Sequence, residues 1–174
     1  TLEEMDRLFS ICQQHKVLII SDEIHQDLIT GLTPFTSALT VSNGAYTDKL
    51  IAMSSLSKSF NMASLHHAEV IIPNEELRNH YNAFKALVYH TDSDVIAEAT
   101  ITAAYTHPEA EAWLTDLLNV VKENYDYMCN KLLATLPELR ISPMDGTYLA
   151  WIDFSAYLKP EEMHDFFENK CGIA

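Results

Sequence analysis

The sequence has few glycines, few cysteines and few basic residues. Its four glycines are not clustered, which argues against the glycine-rich loops that bind nucleotide phosphates. Only 11 of its 174 residues are lysine or arginine against 25 acidic residues, and the formal net charge of −14 argues against a nucleic-acid partner. Its three cysteines lack C-x-x-C spacing, so we expect a reducing compartment and neither a disulfide framework nor a zinc site.

Long apolar runs and a signal peptide are also absent from the sequence. No run approaches the roughly 18 apolar residues of a membrane span, so we expect no membrane partner and a cytoplasmic location. Hydrophobic residues make up 48% of the chain, as in a globular protein with a core. Because the sequence starts at Thr1 without a methionine and ends at Ala174 without a polar tail, we expect a fragment holding one domain and part of another.

Two polar segments that follow apolar, β-branched runs are the most informative parts of the sequence. Residues 17–20 precede the segment 21–25, and residues 50–53 precede the segment 54–61. Such runs are typical of buried parallel strands. Open α/β sheets bind their ligands at the carboxyl ends of strands, so we predict a ligand site where these two segments begin.

Asp22 and Lys58 lie in these segments, and a carboxylate with a lysine suits a pyridoxal phosphate site. That cofactor needs a lysine to form an imine and move the substrate Cα proton, an acid to keep its ring nitrogen protonated, and donors for its phosphate. Lys58 and Asp22 are the candidates for the first two roles, and the hydroxyls of Ser55 and Ser57 for the third. Taken singly, such residues are more often surface or turn residues, but their combination favours the cofactor site.

The combined pattern resembles the fold-type I pyridoxal phosphate enzymes of the class I/II aminotransferase family. The residues that carry the resemblance are Ser21-Asp22-Glu23-Ile24-His25 and Ser55-x-Ser57-Lys58-Ser59-Phe60-Asn61. The pattern is more similar to the cystathionine β-lyase (C–S lyase) branch, which has a histidine at the position of His25 where most aminotransferases have tyrosine. Segments 71–74 and 146–153 also resemble that branch, so the resemblance covers nearly the whole chain.

This resemblance implies an α/β fold in two parts. Residues 1–119 would form the C-terminal part of a pyridoxal-phosphate-binding large domain, with a mainly parallel sheet flanked by helices. Residues 120–174 would begin an α+β small domain. No glycine or proline interrupts the sequence after Pro108 as far as Leu136, which predicts one long helix at about 108–136 that joins the two parts. In the family, further cofactor contacts precede the residues present here and the arginine for the substrate carboxylate follows them, so the chain alone would catalyse poorly or not at all.

The resemblance also implies roles for the site residues and a class of partner. Lys58 would form the imine with pyridoxal 5'-phosphate, Asp22 would pair with the pyridinium, and His25 would lie near the ring hydroxyl. Ser55 and Ser57 would contact the phosphate side. The substrate would be a small amino acid, the assembly a homodimer, and the reaction either transamination or C–S β-elimination.

The sequence departs from the family pattern after the lysine. Ser64 stands where the family usually has glycine, which would be unfavourable if the backbone φ there were positive. His66 stands where many aminotransferases have a phosphate-binding arginine. His67 is unusual too, and Glu69 would bring a charge to a strand.

The remaining elements follow from periodicity and turn residues. Thr1 and Glu4 predict a capping box, and a helix is expected from Glu75 to Val88. A buried helix is expected from Ser93 to Tyr105. Strands at 140–141 and 147–153 are predicted to form a hairpin around residues 145–146, followed by a closing helix at 161–170.

Parts of the sequence are compatible with two other functions. A metal-dependent hydrolase could use Asp22, Glu23 and His25 with the His66-His67 pair. However, adjacent residues of an extended segment point to opposite faces, and the sequence has no H-E-x-x-H motif. A non-catalytic interaction fragment is the second alternative.

Overall fold

The first helix forms as its sequence predicts. The computed structural model describes residues 1–88 and 95–173. Helix α1 (Leu2–Gln14) starts with the expected capping box: the Thr1 hydroxyl accepts from the Glu4 N–H at 3.4 Å, and the Glu4 carboxylate accepts from the Thr1 amino group at 2.7 Å. These contacts satisfy donors that the first turn of a helix leaves unpaired.

A three-stranded sheet forms the centre of the N-terminal part. Strand β1 (Ile19–Asp22) pairs in parallel with β2 (Leu50–Ser54), and β2 pairs in antiparallel fashion with β3 (Glu69–Ile71). The predicted parallel pair is therefore confirmed. The expected burial of the first run holds only in part, since Ile20 is 60% exposed. Strand β1 lies at the edge of the described sheet, with β2 as its paired neighbour.

The core lies between α1, the sheet and the segment that follows β1. It consists of buried side chains from all three: Phe9, Ile19, Ala38, Val41 and Leu50. The segment includes a 3₁₀ stretch, Ala38–Gly44, which has a kink inside it. Hydroxyls of Ser42 and Tyr46 donate to the Asp6 carboxylate and hold the pKa of that carboxyl below its usual range. These polar contacts attach α1 to the segment after β1, next to the apolar contacts of the core.

The first three α-helices after β2 are of different lengths. They are the single turn α2 (Leu56–Ser59), α3 (Glu75–Leu87) and α4 (Val95–Thr106). Helix α3 matches its prediction, and the Asn74 side chain caps it by accepting from the Leu77 N–H at 2.9 Å. The predicted start of α4 at Ser93 lies outside the described residues. The expectation that α4 is buried is wrong, because Ala97 is its only buried residue among those described.

Helix α5 (Pro108–Thr135) is one continuous helix of 28 residues, as the sequence predicts. The His107 side chain accepts from the Glu109 N–H at 3.3 Å, and proline occupies the first turn, where no N–H is needed. At about 1.5 Å per residue, the helix is roughly 40 Å long. It carries the chain from the three-stranded sheet to the C-terminal elements.

The C-terminal part is small. Strands β4 (Arg140–Ile141) and β5 (Ile152–Asp153) are antiparallel, and α6 (Pro160–Asp165) continues into a π-helical turn, Phe166–Lys170. The two strands pair as predicted, but the tight turn expected at residues 145–146 is wrong. The connection returns to the N-terminal part instead, where Gly146 forms a β-bridge with Ile29. Within residues 1–88 and 95–173, no helix is both long enough and apolar enough to cross a membrane.

Candidate functional site

The carboxyl ends of β1 and β2 lie side by side. Asp22 is the last residue of β1 and is opposite Met53 in the parallel register. The Glu23 N–H then donates to the Met53 carbonyl at 2.7 Å, which continues the pairing by one residue. Both predicted segments therefore leave the sheet at the same edge, as expected for parallel strands.

Two adjacent carboxylates at this edge have different environments. Asp22 is exposed and accepts from the Ile24 N–H at 3.2 Å, which fixes the start of the following turn. Glu23 is only 7% exposed and accepts from the hydroxyls of Ser21 and Ser37 at 3.0 and 2.8 Å and from the Ala38 N–H at 2.8 Å. Asp22 is thus accessible to a ligand, whereas Glu23 attaches the strand end to the next segment.

These environments do not support the metal-hydrolase alternative. The Glu23 oxygens already accept three hydrogen bonds inside the protein. Across the described ranges, no group of three His, Cys, Asp or Glu side chains could hold a metal ion.

Ser55 and Ser57 build the start of helix α2. The Ser55 hydroxyl oxygen accepts from the Ser57 N–H at 3.1 Å and donates to the His67 carbonyl at 2.7 Å. The two serine hydroxyl oxygens are 3.0 Å apart. Ser55 is 3% exposed and Ser57 is partly exposed, so the hydroxyl of Ser57 is the more accessible of the two.

Lys58 is the third residue of α2 and is partly exposed. Its side-chain nitrogen makes no hydrogen bond or ion pair with any other residue of the described part of the chain. Leu56, two positions before Lys58, is buried and attaches the helical turn to the protein interior. An amine without an internal partner, next to a strand end, is available for reaction with a carbonyl compound.

Sequence reasoning missed two contacts that join the Asp22 and Lys58 segments. The Gln26 side-chain amide donates to the Ser54 hydroxyl at 2.8 Å. The Asp27 carboxylate accepts from the hydroxyl of Ser59, which is fully buried, at 2.7 Å. The partners are 28 and 32 positions apart, so no local spacing rule reveals these contacts.

Tyr105 of α4 donates to the same oxygen of Asp27 at 3.2 Å. Tyr105 is 44% exposed, and the partial burial of its phenol raises its pKa above the usual range; the negative charge and hydrogen bond of Asp27 raise the pKa further. The ring of Phe60 packs edge-on against Tyr105 and stacks on Trp113 of α5, with centroid distances of 5.9 and 5.8 Å. Hydrogen bonds and ring contacts thus connect the end of α2 to two long helices.

His25 contacts the C-terminal part of the chain. Its Nδ1 lies 3.0 Å from the Thr147 hydroxyl, and its ring packs against Tyr148 at a centroid distance of 5.6 Å. The Thr147 N–H donates to the Leu28 carbonyl at 2.6 Å. The connection between β4 and β5 therefore reaches the turn that follows Asp22.

The unusual residues after Lys58 have local structural explanations. Ser64 is not among the residues with positive φ, so its replacement of a glycine causes no such strain. His66 has the left-handed backbone conformation instead, with φ of 49°, at the end of a 3₁₀ turn. The His67 Nε2 lies 3.2 Å from Oε1 of Glu69, the first residue of β3. The carbonyl of His67 accepts the hydrogen bond from the Ser55 hydroxyl.

Comparison with known proteins supports a common origin for this arrangement. The chain is 34% identical to the protein MalY of Escherichia coli over 99% of its own length and 42% of that protein. It is 31% identical to the cystathionine β-lyase PatB of Bacillus subtilis, over 89% of this chain and 39% of PatB. The chain thus spans less than half the length of these relatives.

The fold agrees with solved structures. The pyridoxal-phosphate-bound C–S lyase from Staphylococcus hominis superposes with a TM-score of 0.86 at 32% identity, covering 99% of this chain and 43% of that one. This agreement confirms the predicted α/β fold class. The profile of the family described as aminotransferase class I and II matches residues 1–170. The chain therefore belongs to the aminotransferase class I and II family.

Proposed function

We propose that this chain is part of a pyridoxal-phosphate-dependent enzyme that acts on small amino acids. The observation that carries the proposal is Lys58, whose unpartnered amine stands at the sheet edge where Asp22 also ends its strand. The names of two relatives add support, because PatB is a cystathionine β-lyase and the Staphylococcus hominis C–S lyase holds pyridoxal phosphate.

The side chains at this sheet edge fit pyridoxal phosphate. When bound, the cofactor supplies an electron-accepting ring that stabilises negative charge at the substrate Cα. The Lys58 amine would hold the cofactor through its aldehyde carbon, and its Nζ would move the substrate Cα proton. Asp22 would keep a proton on the ring nitrogen, since a carboxylate favours the charged pyridinium. His25 would contact the side of the ring that carries the hydroxyl.

Ser55 and Ser57 occupy the phosphate side. Ser57 offers the more accessible hydroxyl, and Ser55 holds the turn in which Ser57 lies through its own hydrogen bonds. The N-terminal N–H groups of α2 come from the same turn, but the helix is too short to act as an anion site by itself. We assign the phosphate to the combined serine hydroxyls.

The proposed domain division follows α5. Residues 1–119 form the C-terminal part of the cofactor-binding domain, residues 120–174 begin the small domain, and α5 belongs to both. A cytoplasmic homodimer is the proposed assembly. Neither feature is needed for the chemistry assigned to Lys58 and Asp22.

A β-lyase is the reaction we favour, and an aminotransferase is the second candidate. His25 replaces the tyrosine of most aminotransferases, and PatB is a lyase by name. A lyase removes the β-substituent of its amino-acid substrate, whereas an aminotransferase passes the amino group on to a keto acid. With L-cystathionine and one water, a lyase yields homocysteine, pyruvate and ammonia without a keto-acid acceptor. A strict requirement for an acceptor would identify the aminotransferase instead.

The decisive experiment traps the cofactor on its lysine. The full-length protein is incubated with pyridoxal phosphate and reduced with borohydride, and the modified lysine is located by peptide mapping. We expect the label on Lys58, its loss in Lys58→Ala, and its retention in the control Lys122→Ala, which changes an exposed lysine of α5. Equal labelling of many lysines, or unchanged labelling in Lys58→Ala, would refute the proposal.

A further inference from the structure

We propose that Asp27 is a positioning residue that holds Lys58 in place relative to Asp22, with Ser59 and Tyr105 as its hydrogen-bond donors. The inference rests on the proposed function, because it assigns a purpose to the fixed position of the Lys58 amine. Asp27, Ser59 and Tyr105 are not proposed to contact substrate or cofactor.

Helix α2 cannot fix Lys58 by itself. It has only four residues, and one isolated helical turn is unstable because nucleation costs more than a single turn returns. Its position must therefore come from contacts with other elements. Leu56 supplies an apolar contact at the start of the turn, and Ser59 supplies the polar contact at its end.

The hydrogen bond from Ser59 to Asp27 is well placed to fix the end of α2. Ser59 has no exposed surface, and its hydroxyl is 2.7 Å from the Asp27 carboxylate. A buried hydroxyl without a partner would destabilise the fold, so this hydrogen bond favours one position of the Ser59 side chain. Ser59 is also the immediate neighbour of Lys58 in the sequence, so a displacement of the Ser59 backbone moves the lysine backbone with it.

Asp27 is itself held at a defined distance from Asp22. The turn between them is closed by the Gln26 N–H, which donates to the Glu23 carbonyl at 2.9 Å. Leu28 follows directly and is 1% exposed, which anchors the turn in the core. The carboxylate of Asp27 is thus a rigid extension of the strand that carries Asp22.

Tyr105 completes the arrangement from α4. Its hydroxyl donates to the same Asp27 oxygen at 3.2 Å, and its raised pKa keeps the proton on it. Two donors on one oxygen restrict the carboxylate more than either does alone. The edge-on ring of Phe60 then packs against Tyr105, so the residue two positions after Lys58 rests on the same side chain.

A second brace acts on the other side of Lys58. The Gln26 amide donates to the Ser54 hydroxyl at 2.8 Å, four positions before the lysine. The turn after Asp22 is therefore joined to the Lys58 segment at Ser54 and at Ser59. These two attachments would keep a fixed distance between the carboxyl ends of β1 and β2, where one cofactor ring is proposed to bind.

The test separates positioning from plain stability. In the full-length protein, Ser59→Ala, Tyr105→Phe and Asp27→Asn are compared with the control Tyr127→Phe, which changes an exposed tyrosine of α5. Three quantities are measured: the thermal midpoint without cofactor, the rate of borohydride-trapped pyridoxal phosphate capture at Lys58, and kcat and KM separately. Misplacing a reacting group slows its reaction, so we expect Ser59→Ala and Asp27→Asn to lower capture rate and kcat about tenfold or more, with KM nearly unchanged.

Tyr105→Phe should give a smaller loss in the same two quantities, because Ser59 still holds Asp27. The control should match the wild type in all three. If the variants melt earlier but capture the cofactor at the wild-type rate, the residues only stabilise the fold and the inference is wrong. Failure of the wild type itself to capture at Lys58 would instead refute the proposed function, on which the inference depends.

Discussion

The hydroxyl of Thr147 lies 3.0 Å from Nδ1 of His25, although the two residues are 122 positions apart. Backbone hydrogen bonds between the two segments hold these side chains near each other. The N–H groups of Thr30 and Gly31 both donate to the Asp145 carbonyl, at 3.1 and 2.9 Å. A Cβ on Gly31 would lie 2.9 Å from the Asp145 Cα, so only glycine allows this approach. The turn after Asp22 and the connection before β5 therefore behave as one unit.

We expect Thr147→Val to destabilise this unit and Thr147→Ser to leave it nearly intact. Valine keeps the shape but removes the hydroxyl, which should lower the free energy of unfolding by about 1 kcal/mol. Urea unfolding of the full-length protein measures the difference. Thr147 has φ of 62°, and because valine is β-branched like threonine, backbone strain is nearly the same in Thr147→Val and in the wild type. Equal stabilities for the two variants would show that the His25 contact contributes nothing.

Glu23→Gln should weaken the strand end. The wild-type carboxylate accepts three hydrogen bonds while nearly buried, whereas the amide replaces one acceptor oxygen with a donor. A loss of about 1–2 kcal/mol in the free energy of unfolding is expected, since hydrogen bonds to charged groups are the stronger ones. Glu3→Gln, at an exposed position of α1, is the matched control. A loss of the same size in both variants would contradict the anchoring role of Glu23.

Asp22→Asn should affect turnover and spare the fold. An asparagine oxygen can still accept from the Ile24 N–H, as the aspartate does at 3.2 Å, so the turn is retained. The amide cannot hold a proton on the ring nitrogen, and a rate loss on the order of 10²-fold or more is expected. Steady-state kinetics with L-cystathionine and a thermal unfolding curve give the two readings. Wild-type turnover in this variant would remove Asp22 from the site.

Tyr105 should make stability fall at high pH. Its folded-state pKa is raised, first by burial and then by Asp27, so the protonated phenol stabilises the folded state. That contribution is complete below the unfolded pKa of about 10 and is lost as the pH rises toward the folded value. The stability of the wild type should therefore fall more between about pH 8 and about pH 11 than that of Tyr105→Phe. If the wild type and Tyr105→Phe lose equal stability over this pH range, the pKa of Tyr105 is not raised by folding.

The sequence was sufficient to predict features that depend on local order. Asp22 and Lys58 were placed at one sheet edge because two apolar runs end directly before them, and parallel strands bring such ends together. The continuous helix α5 was predicted because no glycine or proline interrupts it after Pro108. Both predictions use only neighbouring residues and one general rule of sheet topology.

Features that depend on distant contacts could not be predicted in this way. The hairpin turn failed because Gly146 pairs with Ile29, whose backbone competes for the same hydrogen bonds. The apolar composition of α4 suggested burial, but burial depends on which elements cover a helix and not on the helix alone. The contact of Asp27 with Ser59 was missed for the same reason, since neither residue has a spacing that marks it.

The stacking of Trp113 on Phe60 attaches α5 to the residue two positions after Lys58. Trp113 lies near the start of the helix, and Thr135 is about 33 Å further along it, at about 1.5 Å per residue. If the helix tilted by about 5° about this ring contact, its far end would move by about 3 Å, roughly the length of a hydrogen bond. A displacement of that size at the C-terminal elements would therefore correspond to only a small rotation beside Phe60.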